Sequence, residues 1–99
     1  MITYEVTATV REDLRSRYEV FLRDRHIPDV LLTGLFEGAH LLRADDGRFR
    51  VRYELAEHEA LERYLTTHAA RLRADTQAHF PEGIEFAREV WSELMVWPH

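Results

Sequence analysis

The chain has 99 residues, of which 45% are hydrophobic and 31% charged, as expected for one ordinary globular domain. Its net charge is -5 and it has no basic cluster, which argues against binding to nucleic acid. It has no cysteine, so disulfides, thiol catalysis and zinc–thiolate sites are excluded. The absence of a signal peptide and of a long apolar segment predicts no membrane partner and a cytoplasmic location. We predict a single domain over residues 1–99, with 95–99 as an apolar tail.

The first two elements follow from a change of period. From Ile2 to Val10, apolar and polar residues alternate with the period of two that is typical of a half-buried strand. A period near 3.6 comes next, with Leu14 and Tyr18 on one face, and predicts a helix. Because Pro28 disfavours helical geometry at the residue before it, this helix is predicted to end near His26.

The rest of the chain predicts a hairpin, a second helix and a last strand. The predicted elements are a strand over 34–44, a turn over 45–47, a strand over 49–55, a helix over 57–79 and a strand over 84–94. The order is β-α-β-β-α-β, which is the ferredoxin-like arrangement. We therefore predict an α+β fold in which two helices cover one face of a four-stranded antiparallel sheet.

The second face of this sheet would have no helix over it. Trp91 on the last strand and Trp97 in the tail would add to an apolar surface larger than a monomer usually exposes. This predicts a homodimer in which two sheets pack face to face. Charged residues such as Glu5 and Arg52 would point to the same side, so a sheet face that stays solvated is the alternative.

Three stretches of the sequence, MITYEVTATV, HIPDVLLTG and ERYLTTHAARLR, resemble a family of small bacterial proteins. That family is a domain of unknown function within the dimeric α/β-barrel group of ferredoxin-like folds. Its most specific parts here are His26-Ile27-Pro28 and the segment from His68 to Arg73, although Ala70 stands where a proline is expected. The resemblance implies the fold and a homodimer. The wider group includes cofactor-independent monooxygenases, haem-degrading enzymes and lactone isomerases, so it implies no single activity.

Two histidines are candidate catalytic residues. At the predicted helix end, His26 could accept a proton near neutral pH, or it could only satisfy the terminal carbonyl groups. His68 lies on the apolar face of the second predicted helix, where it is a core residue, a base or an axial haem ligand. His68 and His79 are too far apart along a helix to share one ion, so we predict no metal site and no cofactor.

Four tyrosines are predicted to meet between the helices and the sheet: Tyr4, Tyr18, Tyr53 and Tyr64. They either pack as core residues or line a ligand pocket with His26 and His68, in which Tyr53 would assist catalysis. On the opposite face of the sheet, Arg52 could bind an anion through its planar guanidinium group, or pair with neighbouring carboxylates.

The leading hypothesis is a protein that binds a small organic molecule. If it is an enzyme, it would transfer a proton or oxidise its substrate without a cofactor, with His26 as the base. The first alternative is a non-catalytic homodimerisation module. The second is a haem-binding protein that uses His68 as its ligand.

Overall fold

The computed structural model describes residues 1–98, and its centre is a four-stranded sheet. The strands are β1 (Ile2–Val10), β2 (Gly38–Arg43), β3 (Arg48–Leu55) and β4 (Ile84–Ser92). All neighbours pair antiparallel, in the spatial order β2-β3-β1-β4. This order is that of the ferredoxin-like α+β fold, so the predicted fold class is confirmed.

Two helical runs connect the strands. The run between β1 and β2 consists of a 3-10 turn (Glu12–Leu14), α1 (Arg15–Phe21), a π-helical turn (Leu22–His26) and α2 (Ile27–Leu31). The run between β3 and β4 consists of α3 (His58–Thr67) and α4 (Ala69–His79). Both runs lie against the same face of the sheet, because their buried residues share one core with the inward residues of β1 and β3.

The prediction that the first helix ends near His26 is wrong. Ile27, directly before Pro28, keeps helical dihedral angles of φ -62 and ψ -46. Its N–H donates to the carbonyl of Leu22, five residues earlier, and this wider π turn accommodates the proline ring in the helical run. Val30 in the following turn is fully buried, and its packing stabilises the continuation.

The second helical run also differs from its prediction, because it is interrupted. His68 has φ -120 and ψ -32, which divides the predicted helix 57–79 into α3 and α4. The interruption is local. The N–H of His68 still donates to the Tyr64 carbonyl, and the N–H of Leu72 donates to the His68 carbonyl.

Both outer strands are shorter than predicted. Gly34 adopts a positive φ of 77, so residues 32–37 turn before β2 begins at Gly38. The fourth strand ends at Ser92 because its partner β1 begins there, with Ser92 opposite Ile2. A turn therefore sets the start of β2, and strand pairing sets the end of β4.

The core lies between the helices and one face of the sheet, as the alternation in β1 and β3 predicts. The largest fully buried side chains are those of Leu22, Val30, Tyr53, Leu55 and Leu72. The opposite face, which we call the open face, carries Glu5, Arg50 and Arg52, and no helix of residues 1–98 covers it. In the same range no helix is long and apolar enough to span a bilayer.

Candidate ligand-binding cavity

A cavity of about 130 Å³ lies between the helices and the sheet. All four tyrosines line it, in the positions that the sequence predicts, together with His26. The exposed side chains of Arg73, Gln77 and Arg88 also line it and mark its opening to solvent. The structure therefore brings one candidate base and four phenol groups to a single cavity.

Tyr53 is the most unusual group of this cavity. Its side chain is 2% exposed, and its hydroxyl oxygen has no hydrogen-bond partner within residues 1–98. Burial raises the pKa of Tyr53 well above its usual value, so the hydroxyl keeps its proton. An unpaired buried polar group costs about 1–3 kcal/mol of stability. A ligand oxygen or a water molecule that paired with it would recover that free energy.

The other tyrosines are in more ordinary surroundings. The Tyr4 hydroxyl accepts a hydrogen bond from Nη2 of Arg73 at 3.0 Å. Burial raises the pKa of Tyr64 to about 12, and burial also raises the pKa of Tyr18. Tyr18 and Tyr64 are therefore neutral at physiological pH and, like Tyr53, can donate a hydrogen bond.

His26 occupies the last position of the π-helical turn, where its ring stacks on Phe21 with centroids 5.7 Å apart. Its Nδ1 lies 3.3 Å from Oγ1 of Thr76, and that hydroxyl donates to the Leu72 carbonyl at 3.2 Å. Because a threonine hydroxyl has one proton, this arrangement fits the tautomer in which Nδ1 of His26 donates to Oγ1. The lone pair then lies on Nε2, which is the atom free to act as a base.

The charge state of His26 suits this role. Burial lowers the pKa of His26, and the positive charge of Arg88 lowers it too, whereas Asp75 and Asp29 raise it. The net effect is a lowered pKa, so the imidazole is neutral at neutral pH. The two carboxylates would nevertheless stabilise the imidazolium ion once a proton had been taken up.

His68 lies apart from this cavity. Its ring stacks on Tyr64 with centroids 6.4 Å apart, and its Nδ1 is 3.4 Å from Nη2 of Arg71. The structure therefore does not bring His68 to His26. His68 does not line the cavity, so a haem bound to His68 would have to lie elsewhere.

Arg52 is also outside the cavity, on the open face of the sheet. Its Nε donates to Oε2 of Glu5 at 3.1 Å, and Nε of the neighbouring Arg50 donates to Oγ1 of Thr7 at 3.0 Å. These polar side chains bond to each other. No group of three histidine or carboxylate side chains within residues 1–98 could hold a metal ion.

Sequence reasoning missed Arg73 and Arg88, which line the cavity opening. For Arg88 a signal was present, since it stands between Phe86 and Val90 on the inward-facing side of β4. An arginine at an apolar position of a strand is a candidate for a functional residue. For Arg73 there was no such signal, because the sequence pattern of α4 does not place it at an apolar position.

Residues 1–94 match the model of a protein family, the domain of unknown function DUF4286. The chain belongs to this family. The resemblance stated from the sequence is thereby confirmed. A comparison of this DUF4286 protein with curated proteins finds no match.

Three solved structures show how widely the fold of this DUF4286 protein occurs. SnoaB, a cofactor-independent oxygenase from Streptomyces nogalater, superposes with a TM-score of 0.78 at 16% identity, over 99% of this chain and 97% of SnoaB. An ethyl tert-butyl ether d (ethd) family protein from Bacillus halodurans gives 0.71 at 11% identity, over 95% and 100%. An antibiotic biosynthesis monooxygenase gives 0.62 at 16% identity, over 90% and 96%. At these identities the likeness concerns the fold alone.

Proposed function

We propose that this protein binds a small organic molecule, about the size of one aromatic ring, in the tyrosine-lined cavity. The observation that most supports the proposal is the buried hydroxyl of Tyr53, which lacks a partner within residues 1–98. Size supports it as well. An engineered apolar cavity of about 150 Å³ in another protein binds benzene, and the cavity here measures about 130 Å³.

His26 is the proposed base toward this ligand. Its Nε2 accepts a proton from a hydroxyl group or an acidic C–H of the ligand, since Nδ1 carries the proton donated to Thr76. Tyr53 donates a hydrogen bond to the ligand oxygen on which negative charge develops. A buried donor of this kind is effective because little water competes with it.

A cofactor-independent oxidation is the second form of this proposal. The neighbour described as a cofactor-independent oxygenase shares the fold, and this likeness motivates the test without identifying a substrate. Proton transfer to His26 would precede the reaction of the electron-rich ligand anion with dioxygen, the oxidant that the proposal requires.

We also propose that a second copy of the chain covers the open face. Trp91 and Leu42 on this face are 56% and 43% exposed, and residues 94–97 of the tail are exposed too. Light scattering at micromolar concentration should give the mass of a dimer, and Trp91→Glu should give a monomer. A wild-type monomer would contradict the homodimer. A dimer without ligand binding would instead favour the non-catalytic dimerisation module.

The binding proposal is tested with 4-nitrophenol, a single-ring phenol whose absorbance reports its protonation. Tyr53→Phe should weaken its binding about tenfold, because one hydrogen bond contributes about 1–1.5 kcal/mol. His26→Asn should raise the pH at which the bound phenol ionises, since the proton acceptor is lost. Thr66→Val, which removes an exposed hydroxyl outside the cavity, is the matched control. Equal affinity and equal ionisation in all variants would contradict the proposal.

A further inference from the structure

The opening of the cavity carries two positive charges, those of Arg73 and Arg88. Arg73 on α4 and Arg88 on β4 both line the cavity and are exposed, and neither has a carboxylate within 4.0 Å among residues 1–98. In the same range most arginines do have such a carboxylate: Arg11, Arg23, Arg25, Arg43, Arg48, Arg50 and Arg52. Six of the 13 arginines lack such a carboxylate within residues 1–98, and Arg73 and Arg88 are the two of these six that line the cavity.

Both charges act on groups inside the cavity. The pKa of Tyr64 is raised mainly by burial, and the charges of Arg73 and Arg88 oppose this rise. Arg88 likewise lowers the pKa of His26, after the larger effect of burial. At His26, the carboxylates of Asp75 and Asp29 act against Arg88 and more strongly than it does. Asp75 is bound to Arg25 through two hydrogen bonds of 2.8 Å, so its oxygens are not paired with the arginines of the opening. The positive charge at the opening is therefore local to Arg73 and Arg88, where a ligand anion could contact them directly.

The two guanidinium groups retain free donors. Arg73 uses one N–H to bond the Tyr4 hydroxyl at 3.0 Å, out of the five that a guanidinium group offers. The guanidinium group of Arg88 lies over the ring of Phe86, 5.4 Å from its centroid, and makes no side-chain hydrogen bond within residues 1–98. Stacking of this kind leaves the edge of the guanidinium group open to a bidentate contact with a carboxylate.

We propose that the ligand of this cavity is a small planar acid with a single ring and a hydroxyl group. Its carboxylate lies at the opening, between Arg73 and Arg88, and its ring enters the tyrosine-lined cavity. Its hydroxyl group meets Tyr53 and His26. This inference rests on the proposed function, and it adds the charge of the ligand and the residues that select it.

Two isosteric probes test the charge. 4-Hydroxybenzoate is an anion, and 4-hydroxybenzamide has the same shape without the charge. Calorimetry should show that the wild-type protein binds the benzoate about tenfold or more tightly than the amide, because charged hydrogen bonds are about twice as strong as neutral ones. Arg88→Gln should reduce this preference, Arg88→Lys should retain more of it, and the double variant Arg73→Gln/Arg88→Gln should abolish it. Arg63→Gln, at an exposed position outside the cavity, changes the net charge equally and should retain all of it.

The outcomes separate this inference from the proposed function. If the amide binds as tightly as the benzoate, the ligand is not selected as an acid, while ligand binding in the cavity still stands. If neither probe nor 4-nitrophenol binds, both proposals fail. If Arg63→Gln weakens benzoate binding as much as Arg88→Gln, attraction by the overall charge explains the result, and the role of the cavity opening is refuted. Because the two probes can be compared on the wild-type protein alone, misfolding of a variant would not prevent the test.

Discussion

The two faces of the sheet are made by the same strands, yet polar side chains have partners on one face and lack them on the other. On the open face these side chains bond to each other, in the pairs Arg52–Glu5, Arg50–Thr7 and His40–Glu54. On the helix-facing side, and within residues 1–98, the hydroxyl of Tyr53 has no hydrogen-bond partner. In the same range, Arg73 and Arg88 at the opening have no carboxylate within 4.0 Å. Tyr53 and Arg52 are adjacent in the sequence, so the pleat of one strand separates the two environments.

This difference indicates where a ligand belongs. Paired groups such as Arg52 and Glu5 already have their hydrogen bonds, and a ligand would have to break them. The Tyr53 hydroxyl bonds to no protein group within residues 1–98, so a ligand that pairs with it breaks no bond within that part of the protein. Tyr53, rather than Arg52, is therefore the better marker of a binding site.

The largest expected effect concerns the packing that encloses the cavity. Leu72→Ala removes a side chain that is 1% exposed, and should lower the free energy of unfolding by about 2–5 kcal/mol. Leu32→Ala, at a position that is 82% exposed, should change it by less than about 0.5 kcal/mol. Urea unfolding measures both. Equal losses would mean that the helices do not pack on the sheet as described.

The second prediction compares the two faces by whether a substitution lowers the free energy of unfolding. Tyr53→Phe deletes a hydroxyl that bonds to no protein group within residues 1–98 and should not lower the free energy of unfolding of the ligand-free protein. Glu5→Gln removes the negative charge that pairs with Arg52 and should lower it by about 0.5–1 kcal/mol. The same unfolding assay applies. A loss of stability in Tyr53→Phe would show that its hydroxyl has a partner after all.

The smallest predicted effect is a pH dependence due to His26. Its folded-state pKa lies below the ordinary value of 6.5, so between these two values the unfolded chain binds more protons. Stability should therefore fall as the pH decreases below about 6.5, down to the folded-state pKa. His26→Gln should flatten this part of the profile. His58→Gln, at an exposed histidine, should leave it unchanged, and an unchanged slope in His26→Gln would contradict the burial of that ring.

Much of the cavity was predictable from the sequence. The period of two in β1 and β3 places Tyr4 and Tyr53 on the helix-facing side, and the period of α1 directs Tyr18 to the same space. These positions depend only on local geometry, which is why the prediction of four converging tyrosines agrees with the structure.

What could not be predicted depends on contacts between distant residues. The helix continues through Pro28 because a π turn forms and Val30 becomes buried, and neither event can be read from the residues around the proline. The tautomer of His26 follows from Thr76, which is 50 residues away in the chain. The role of Arg73 likewise follows from its bond to Tyr4 across the core.

The most direct test of the central claim is an amide NMR titration of the protein with 4-nitrophenol. We predict that the largest chemical-shift changes will be at Tyr53, His26 and Thr76, which surround the cavity, with small changes at Glu5 and Arg52. Changes confined to the open face, or no saturable change at any residue, would contradict the assignment of the tyrosine-lined cavity as the ligand site.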